Sequence, residues 1–257
     1  MKVFLDVGAN MGQTARAVLD PRYRFERIVS FEPAPPCWPS LEAIDDPRFE
    51  LCGFGLWSET CRGELYDPGN PAASVFPDYL PERRISEEVA SIGLVRASDW
   101  LATNIGDGEV VFMKLNCEGA EAEIVEDLRA SGQLRRIYNL MVFFDVRKSA
   151  SLRRREAPLR KRLRRAGYRN IAFSEDVVHG RTHAEGIRCW LDLVGARESL
   201  PLDELRRRHG DLLASLSQRT GRRARYEHWL RDHVYQWLPG GSKRAARAIW
   251  RRLPVRR

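Results

Sequence analysis

MKVFLDVGANMGQT, residues 1–14, is the stretch that decides the fold of this 257-residue chain. The apolar residues between Val3 and Val7 indicate a buried strand, and a turn of small residues follows them. A helix is expected to begin near Gly12. A strand that passes through a glycine turn into a helix is typical of the first unit of a doubly wound α/β sheet, where nucleotide cofactors bind. The sequence therefore predicts a cofactor pocket at the end of its first strand.

A second apolar run, from Ile28 to Phe31, ends in Glu32. This is the position, about twenty residues after the first turn, from which an acidic side chain meets ribose hydroxyls in doubly wound sheets. Asp6 supplies another acid beside the glycine turn. The predicted pocket is therefore flanked by two carboxylates.

The two acids distinguish between candidate cofactors. NAD places a pyrophosphate on the first turn, where Asp6 would repel it by roughly 4 kcal/mol per charge pair at an effective dielectric constant near 20. The turn also lacks the second and third glycines of the G-x-G-x-x-G pattern. S-adenosylmethionine carries a sulfonium and an ammonium group, which carboxylates attract. We therefore expect S-adenosylmethionine, with Asp6 at its amino-acid end, Glu32 on its ribose, and Gly8, Asn10 and Gly12 in the turn that approaches it.

A second group of polar residues follows a buried strand in VVFMKLNCEGAEAEIVEDL, residues 110–128. Lys114, Asn116, Glu118 and Glu121 lie where this strand becomes a helix, at the carboxyl edge of the predicted sheet. Ligands bind along that edge in open α/β sheets. These four residues are therefore candidates for contact with cofactor and substrate.

Three motifs resemble, in the same order, those of the FkbM-type methyltransferases: DVGANMGQT, FEPAP and MKLNCEGAEAEIVEDL. The resemblance covers residues 1–195. It implies a Rossmann-like class I methyltransferase fold, in which a mostly parallel sheet has helices on both faces. It also implies S-adenosylmethionine-dependent methylation of a hydroxyl on a sugar, glycolipid or related metabolite.

The chain departs from the family pattern K-x-D-x-E-G-x-E at Asn116, where the resemblance implies Asp. An amide cannot act as a general base, so we assign proton removal to Glu118 and expect Asn116 to orient the cofactor or a substrate hydroxyl. Glu121 falls in the first helical turn, where interaction with the helix dipole explains it at least as well as function does. Lys114 is expected either to pair with Glu118 or Glu121 or to contact substrate.

Asp145 ends an apolar strand, residues 139–145, at the same edge of the sheet. A Mg²⁺ site built from Asp145, Glu118 and Asn116 would offer fewer carboxylates than this ion prefers, so we predict no metal. His179 and His183 are four residues apart in a segment without a clear helical pattern. We interpret them as exposed histidines of a loop rather than as zinc ligands.

Hydrophobic periodicity predicts alternating strands and helices, and therefore a parallel sheet covered on both faces. The predicted strands lie near residues 2–7, 27–32, 49–54, 92–96, 110–116, 138–145, 168–174 and 187–194. The predicted helices lie near residues 12–19, 36–44, 98–103, 120–131, 150–166 and 202–218. Residues 67–88, which include Gly69, Pro71, Pro77 and Pro81, predict a long loop that is either a lid or disordered.

The basic charge is concentrated toward the C-terminus. Residues 201–257 carry 15 Lys and Arg against 5 Asp and Glu, a net charge of +10, whereas the rest of the chain carries 28 against 30. This shift predicts a methyltransferase domain over residues 1–197 and a basic, amphipathic helical extension over 198–257. The aromatic and arginine residues of 229–257 suit an anionic membrane surface, and packing on the core or on a second subunit of a homo-oligomer explains the same pattern.

Composition indicates a cytoplasmic enzyme, held at the inner face of the membrane if the extension binds there. The sequence shows no apolar signal core or membrane-spanning run, and its five cysteines contain no C-x-x-C pair. The Arg-rich helix predicted at 150–166 favours RNA methylation as an alternative, although no aromatic residues interleave with its arginines to support nucleic-acid binding. The other alternative is a non-catalytic protein that keeps the pocket and docks to a membrane or a partner.

Overall fold

A parallel sheet with helices on both faces forms the centre of the computed structural model, which describes residues 1–177 and 181–208. The strands are β1 Lys2–Val7, β2 Arg27–Phe31, β3 Phe49–Cys52, β4 Gly55–Trp57, β5 Cys61–Tyr66, β6 Val89–Arg96, β7 Val110–Leu115, β8 Ile137–Val142 and β9 Ile171–Phe173. The helices are α1 Gln13–Val18, α2 Trp38–Glu42, α3 Ala97–Asn104, α4 Glu121–Ala130, α5 Glu156–Arg165, α6 Ser174–Val177 and α7 His183–Leu193.

Six of the described strands form the main sheet in the order β3-β2-β1-β7-β8-β9, and all neighbouring pairs are parallel. The chain starts in the middle, builds outward through β2 and β3, and returns to the other side of β1 through β7. This is the order of a doubly wound sheet, so the predicted α/β fold class is confirmed. The direction of winding reverses between β1 and β7, where Val7 lies beside Leu115. The two sequence motifs therefore meet at the switch point, where ligands bind in such sheets.

The main sheet is buried on both faces, which explains why its strands are nearly continuous apolar runs. On one face Leu5 and Val29 pack with residues of α3, α4 and α5. On the other face Phe4 and Phe112 pack with residues of α1 and α7, including the fully buried Trp190. Each such side chain contributes about 1.5 to 3 kcal/mol through burial, so the core holds the strand ends in fixed positions.

The strand predicted at 187–194 is wrong, because this segment belongs to helix α7. The helix begins with a capping box, in which the Thr182 hydroxyl accepts the Glu185 N–H and the Glu185 carboxylate accepts the Thr182 N–H. The apolar residues of the segment recur at helical intervals and are buried against the sheet: Ile187, Trp190, Leu191 and Val194.

Between β3 and β7 the chain forms a second sheet of three strands, with β6 in the middle. Strand β6 is parallel to β4 and antiparallel to β5. The sequence predicts one strand in this region, at 92–96, and the observed strand β6 begins earlier, at Val89. Strands β4 and β5 are short or half-exposed, so they lack the apolar runs that indicate the strands of the main sheet.

Helix α5 confirms the amphipathic pattern predicted for 150–166, although it begins only at Glu156. Leu159 and Leu163 are buried against the core. Arg160, on the same helix, pairs with the Glu156 carboxylate at 2.7 Å. Part of the basic charge of this helix is therefore paired within the protein.

The chain continues to pack on the main sheet beyond residue 197. Leu205, in the helical stretch 202–208, is fully buried. Near the start of the chain, the buried Lys2 Nζ donates to three carbonyl oxygens, those of Tyr23 (3.1 Å), Ala196 (2.8 Å) and Glu198 (3.0 Å). These bonds tie the start of β1 to the segment that follows α7.

The remainder of the helix predicted at 202–218 lies outside the described residues, and so does the basic segment 229–257. In the part of the chain that is described, none of the helices has the length and apolar character needed to cross a bilayer.

Gly8, directly after β1, is where the first turn comes closest to the end of β7. Its φ of +77° lies in the left-handed region. A Cβ atom at this position would lie 1.9 Å from the carbonyl oxygen of Asn116. Because any side chain would displace the end of β7, this glycine sets the separation between the two motifs.

We expect Gly8→Ala to destabilise the protein by about 3 to 5 kcal/mol, since it combines a left-handed backbone penalty with displacement of the main chain. Gly108→Ala is the matched control, because Gly108 has a φ of +84° and no neighbouring atom within 4 Å of the position its Cβ would take. The control should cost only about 1 to 2 kcal/mol. Urea denaturation measures both free energies of unfolding, and equal costs would show that Asn116 does not restrict the turn.

Candidate functional site

A cavity of about 350 Å³ opens at the switch point, at the carboxyl ends of β1, β2 and β7. Five of the residues assigned from sequence line it: Gly8, Asn10, Glu32, Asn116 and Glu118. The second sheet contributes an uncharged wall that includes Leu56, Trp57, Leu65, Ile92 and Leu94. The loop 67–88 contributes Pro68, Asn70, Ser74 and Val75. Residues from both sequence motifs therefore share one cavity.

The backbone N–H groups of the first turn are directed into the protein rather than toward the cavity. All five from Gly8 to Gly12 donate to protein acceptors: Gly8 and Ala9 to the Phe31 carbonyl (3.0 and 3.1 Å), Asn10 to Glu32 Oε2 (2.7 Å), Met11 to Asn10 Oδ1 (2.8 Å) and Gly12 to the Ala9 carbonyl (2.9 Å). A turn that binds phosphate needs such groups free to donate to the ligand. This turn is therefore not arranged to hold a pyrophosphate.

Glu32 both builds the turn and faces the cavity. Its Oε2 accepts the Asn10 N–H at 2.7 Å, and its Oε1 accepts the Ala34 N–H at 2.9 Å. Burial raises the pKa of Glu32, and these two N–H donors lower it in part. A carboxylate oxygen can accept a second hydrogen bond, so Glu32 can hold the turn and bind ligand hydroxyls at once.

Asp6 is fully buried beneath the cavity, where it pairs with Lys114. The Lys114 Nζ lies 3.0 Å from Asp6 Oδ1 and donates to the carbonyl of Gly8 at 2.7 Å. The two residues are direct neighbours in the register of β1 and β7, so both side chains point to the same face. Lys114 lines the cavity, and its ion pair is made with Asp6 rather than with the two glutamates considered from sequence.

Gly12 caps the N-terminus of α1 with a φ of +83°. A Cβ here would lie 3.0 Å from a Leu41 methyl group and 2.8 Å from the Arg16 guanidinium. The absence of a side chain at Gly12 therefore allows the turn to pack against Leu41 and Arg16.

Glu118 stands in a strained turn between β7 and α4. Its φ is +47°, and the following Gly119 has a φ of +111°. The carboxylate accepts a hydrogen bond from the Tyr79 hydroxyl, and the Glu118 carbonyl accepts one from Ser74 Oγ at 2.6 Å. Burial, followed by the nearby Asp145 carboxylate, raises the pKa of Glu118. A non-glycine residue in this conformation, beside a cavity, is typical of functional sites.

Glu121 supports this turn from within. Its carboxylate is fully buried and accepts the N–H groups of Cys117 (2.8 Å) and Gly119 (3.1 Å). Burial raises the pKa of Glu121 to about 8, with a further contribution from the Asp145 charge. These contacts favour a structural role for Glu121, as considered from the sequence, but the role is exerted through hydrogen bonds to the turn.

Asn116 presents a hydrogen-bonding atom to the cavity. Its Oδ1 is buried and has no hydrogen-bond partner among the described residues. A buried acceptor left without a donor costs about 1 to 3 kcal/mol. A ligand N–H or O–H at this end of the cavity would satisfy it, in agreement with the orienting role expected from sequence.

His183 is not the exposed loop residue that the sequence indicated. It is the first residue of α7 and lines the cavity, where its Nε2 lies 2.8 Å from Thr14 Oγ1. Its ring lies 5.1 Å from that of Phe143. Burial, followed by the Lys114 charge, lowers the pKa of His183 to about 4, so the imidazole is neutral at pH 7. The T-x-x-E capping box at 182–185 is the sequence signal that could have placed this residue on a helix.

Asp145 follows β8 in a short 3-10 turn, Asp145–Lys148, and lies beside Glu118. The Lys148 Nζ lies 2.6 Å from Asp145 Oδ2 and 3.7 Å from Glu118 Oε2. Over residues 1–177 and 181–208, no three His, Cys, Asp or Glu side chains come together in a way that could hold a metal ion. His179 lies outside the described residues.

A scan against models of protein families, a search of curated proteins and a search of solved structures each found no match to this chain. The resemblance to FkbM-type methyltransferases therefore rests on the three motifs alone.

We expect the pH dependence of stability to report on the neutral His183. The unfolded imidazole has a pKa near 6.5 and the folded one about 4, so the unfolded chain binds the extra proton between these values. The part of the unfolding free energy that depends on neutral His183 is fully present above pH 6.5 and is lost as the pH falls toward 4. After discounting for partial exposure, the loss should reach roughly 2 kcal/mol.

His183→Gln keeps a hydrogen-bonding side chain and cannot titrate. Urea denaturation of both proteins between pH 7 and pH 4 should therefore show the stability advantage of the wild type shrinking as the pH falls. Carboxylates that titrate in both proteins cancel in this comparison. A constant difference across the range would contradict the buried, neutral imidazole.

Proposed function

We propose that this chain is an S-adenosylmethionine-dependent O-methyltransferase that acts on a hydroxyl of a sugar, glycolipid or related metabolite. The observation that carries the proposal is the first turn, whose five N–H groups from Gly8 to Gly12 are all bonded within the protein. Within these five residues a dinucleotide would find no free N–H donor for its phosphates. A nucleoside cofactor without phosphate needs none.

The charges along the cavity support the same choice. Glu32 and Glu118 line it, whereas the positive charge of Lys114 is balanced by Asp6. The wall is therefore acidic, which favours a cofactor with a sulfonium and an ammonium group and disfavours one with two phosphates.

The residues present fit this cofactor. Glu32 stands at the end of β2, where its carboxylate would accept both ribose hydroxyls. The unpaired Oδ1 of Asn116 would accept a hydrogen bond from the ammonium group, close to the turn at Gly8. The uncharged wall of the second sheet suits the adenine ring or an apolar part of the acceptor.

In this reaction the protein has to position the reactants and accept one proton. When bound, S-adenosylmethionine supplies a methyl group on a sulfonium, which an oxygen nucleophile takes by in-line displacement. The cavity walls would hold the acceptor oxygen about 3 to 3.5 Å from that methyl carbon. Glu118 would accept the proton of the acceptor hydroxyl, and its raised pKa brings its basicity closer to that needed at neutral pH.

We expect calorimetric titration to show binding of S-adenosylmethionine and of its demethylated product, and none of NAD. Glu32→Gln should weaken that binding about 10- to 100-fold, because it removes charge-assisted bonds to the ribose. Glu50→Gln is the matched control, since Glu50 lies on the neighbouring strand β3 and pairs with Arg27 outside the cavity. Absence of affinity for either compound in a folded protein would refute the proposal.

We expect Glu118→Gln to lower the rate of methyl transfer by about 100-fold or more, while cofactor affinity falls less than in Glu32→Gln. The wild-type rate should rise with pH through the raised pKa of Glu118, because only the ionised form accepts the proton. A panel of hydroxylated acceptors, assayed for the demethylated product, gives both measurements. Glu123→Gln is the control on the helix α4 that follows the turn, because Glu123 pairs with Arg155 outside the cavity. Full activity of Glu118→Gln would remove the base assignment and leave the cofactor assignment standing.

A further inference from the structure

The loop 67–88 is anchored at both ends. Near its start, the Asp67 carboxylate is buried and accepts the Ile85 N–H (2.8 Å), the Ser86 hydroxyl (2.9 Å) and the Asn70 amide (2.6 Å). In its middle, the loop docks on the chain after β8. The Asp78 carboxylate accepts the N–H and the hydroxyl of Ser151 at 2.7 and 3.1 Å, and Tyr79 forms a β-bridge with Ser149.

This docking places Tyr79 beside the strained turn. Tyr79 is 2% exposed, and its ring borders Gly119. Its hydroxyl donates to Glu118 Oε2, and Ser74 of the same loop donates to the Glu118 carbonyl. The loop therefore contacts both the side chain and the backbone of Glu118.

The chain after β8 brings two charges to the same carboxylate. Lys148 Nζ lies 3.7 Å from Glu118 Oε2, and the Asp145 carboxylate lies beside it. Lys148 also lies 5.8 Å from the centre of the Tyr79 ring. Two further ionisable groups near Glu118 have other partners, because Glu121 is bonded to the backbone of the turn and Lys114 is paired with Asp6.

We infer, on the basis of the proposed function, that Tyr79 and Lys148 are positioning residues that hold the Glu118 carboxylate toward the acceptor. The loop 67–88 then does more than line the cavity, because it supplies part of the arrangement that makes Glu118 a base. The contacts that dock the loop on the β8–α5 connection also bring the Tyr79 hydroxyl to the Glu118 carboxylate.

The contacts of Glu118 act on its charge in opposite directions. The Tyr79 hydroxyl and the Lys148 ammonium both stabilise the carboxylate and lower the pKa of Glu118, whereas the Asp145 carboxylate repels it and raises that pKa. Tyr79→Phe and Lys148→Met should therefore raise the pKa of Glu118, and Asp145→Asn should lower it. A general loss of folding stability would not produce shifts of opposite sign.

The test is a pH titration by carboxyl NMR of protein labelled with ¹³C-glutamate, with Glu118→Gln used to assign the Glu118 signal. Tyr79→Phe and Lys148→Met should each raise the Glu118 pKa by about half a unit or more, and Asp145→Asn should lower it by a similar amount. Tyr66→Phe is the matched control, because the Tyr66 hydroxyl also donates to a carboxylate, that of Glu64, away from the site. It should leave the Glu118 pKa unchanged. Thermal denaturation shows that each variant is folded.

Kinetics supply the second readout. Tyr79→Phe should reduce kcat about tenfold, with the affinity for S-adenosylmethionine unchanged, and should move the acid limb of the pH profile upward. If Tyr79→Phe and Lys148→Met leave both the titration and the acid limb unchanged, the positioning role is refuted, whatever the enzyme methylates. If the titration shifts as expected but the wild type methylates no acceptor, the proposed function fails and the positioning of Glu118 stands.

Discussion

The buried ion pair between Asp6 and Lys114 joins the two halves of the main sheet at the point where its winding reverses. Removing two charges from water costs several kcal/mol per ion, so such a pair persists only with close geometry and additional bonds. Lys114 has those bonds, because its Nζ also donates to the carbonyl of Gly8. Asp6 accepts no further hydrogen bond from the described residues, so Lys114 is its sole compensating charge there. The pair therefore fixes β1 against β7, and with them the glycine turn and the cavity.

Because of this ion pair, Asp6 is not the residue that supplies negative charge to the cavity. From the sequence, Asp6 is expected to attract the amino-acid end of a cationic cofactor, yet the carboxylate is enclosed and paired with Lys114 beneath the cavity wall. The acidic character of the wall is instead supplied by Glu32 and Glu118. The geometry of the first turn then disfavours phosphate more than the charge of Asp6 does, because the N–H groups of the turn are already bonded to Phe31, Glu32 and the turn itself.

The sequence predicts most of the main sheet because strands buried on both faces are apolar along their whole length, as β1 and β7 are. It also predicts Glu32 and Glu118 as cavity residues, because a doubly wound order brings the ends of β1, β2 and β7 together. It does not predict the contacts that depend on packing between distant segments. The register that sets Asp6 beside Lys114, the docking of Tyr79 on Glu118 and the burial of His183 beside Thr14 all join residues far apart in the chain.

Three carboxylates near the cavity differ in their burial and in their hydrogen bonds. Glu121 is enclosed, and burial raises its pKa to about 8. Glu32 lines the cavity, and each of its carboxylate oxygens accepts a backbone N–H. Glu118 faces the cavity from a left-handed turn whose strain, about 1 to 3 kcal/mol, persists only because the surroundings determine it. Those surroundings include Glu121, which binds the N–H groups on either side of Glu118. One carboxylate thus holds the turn in the conformation that presents another to the cavity.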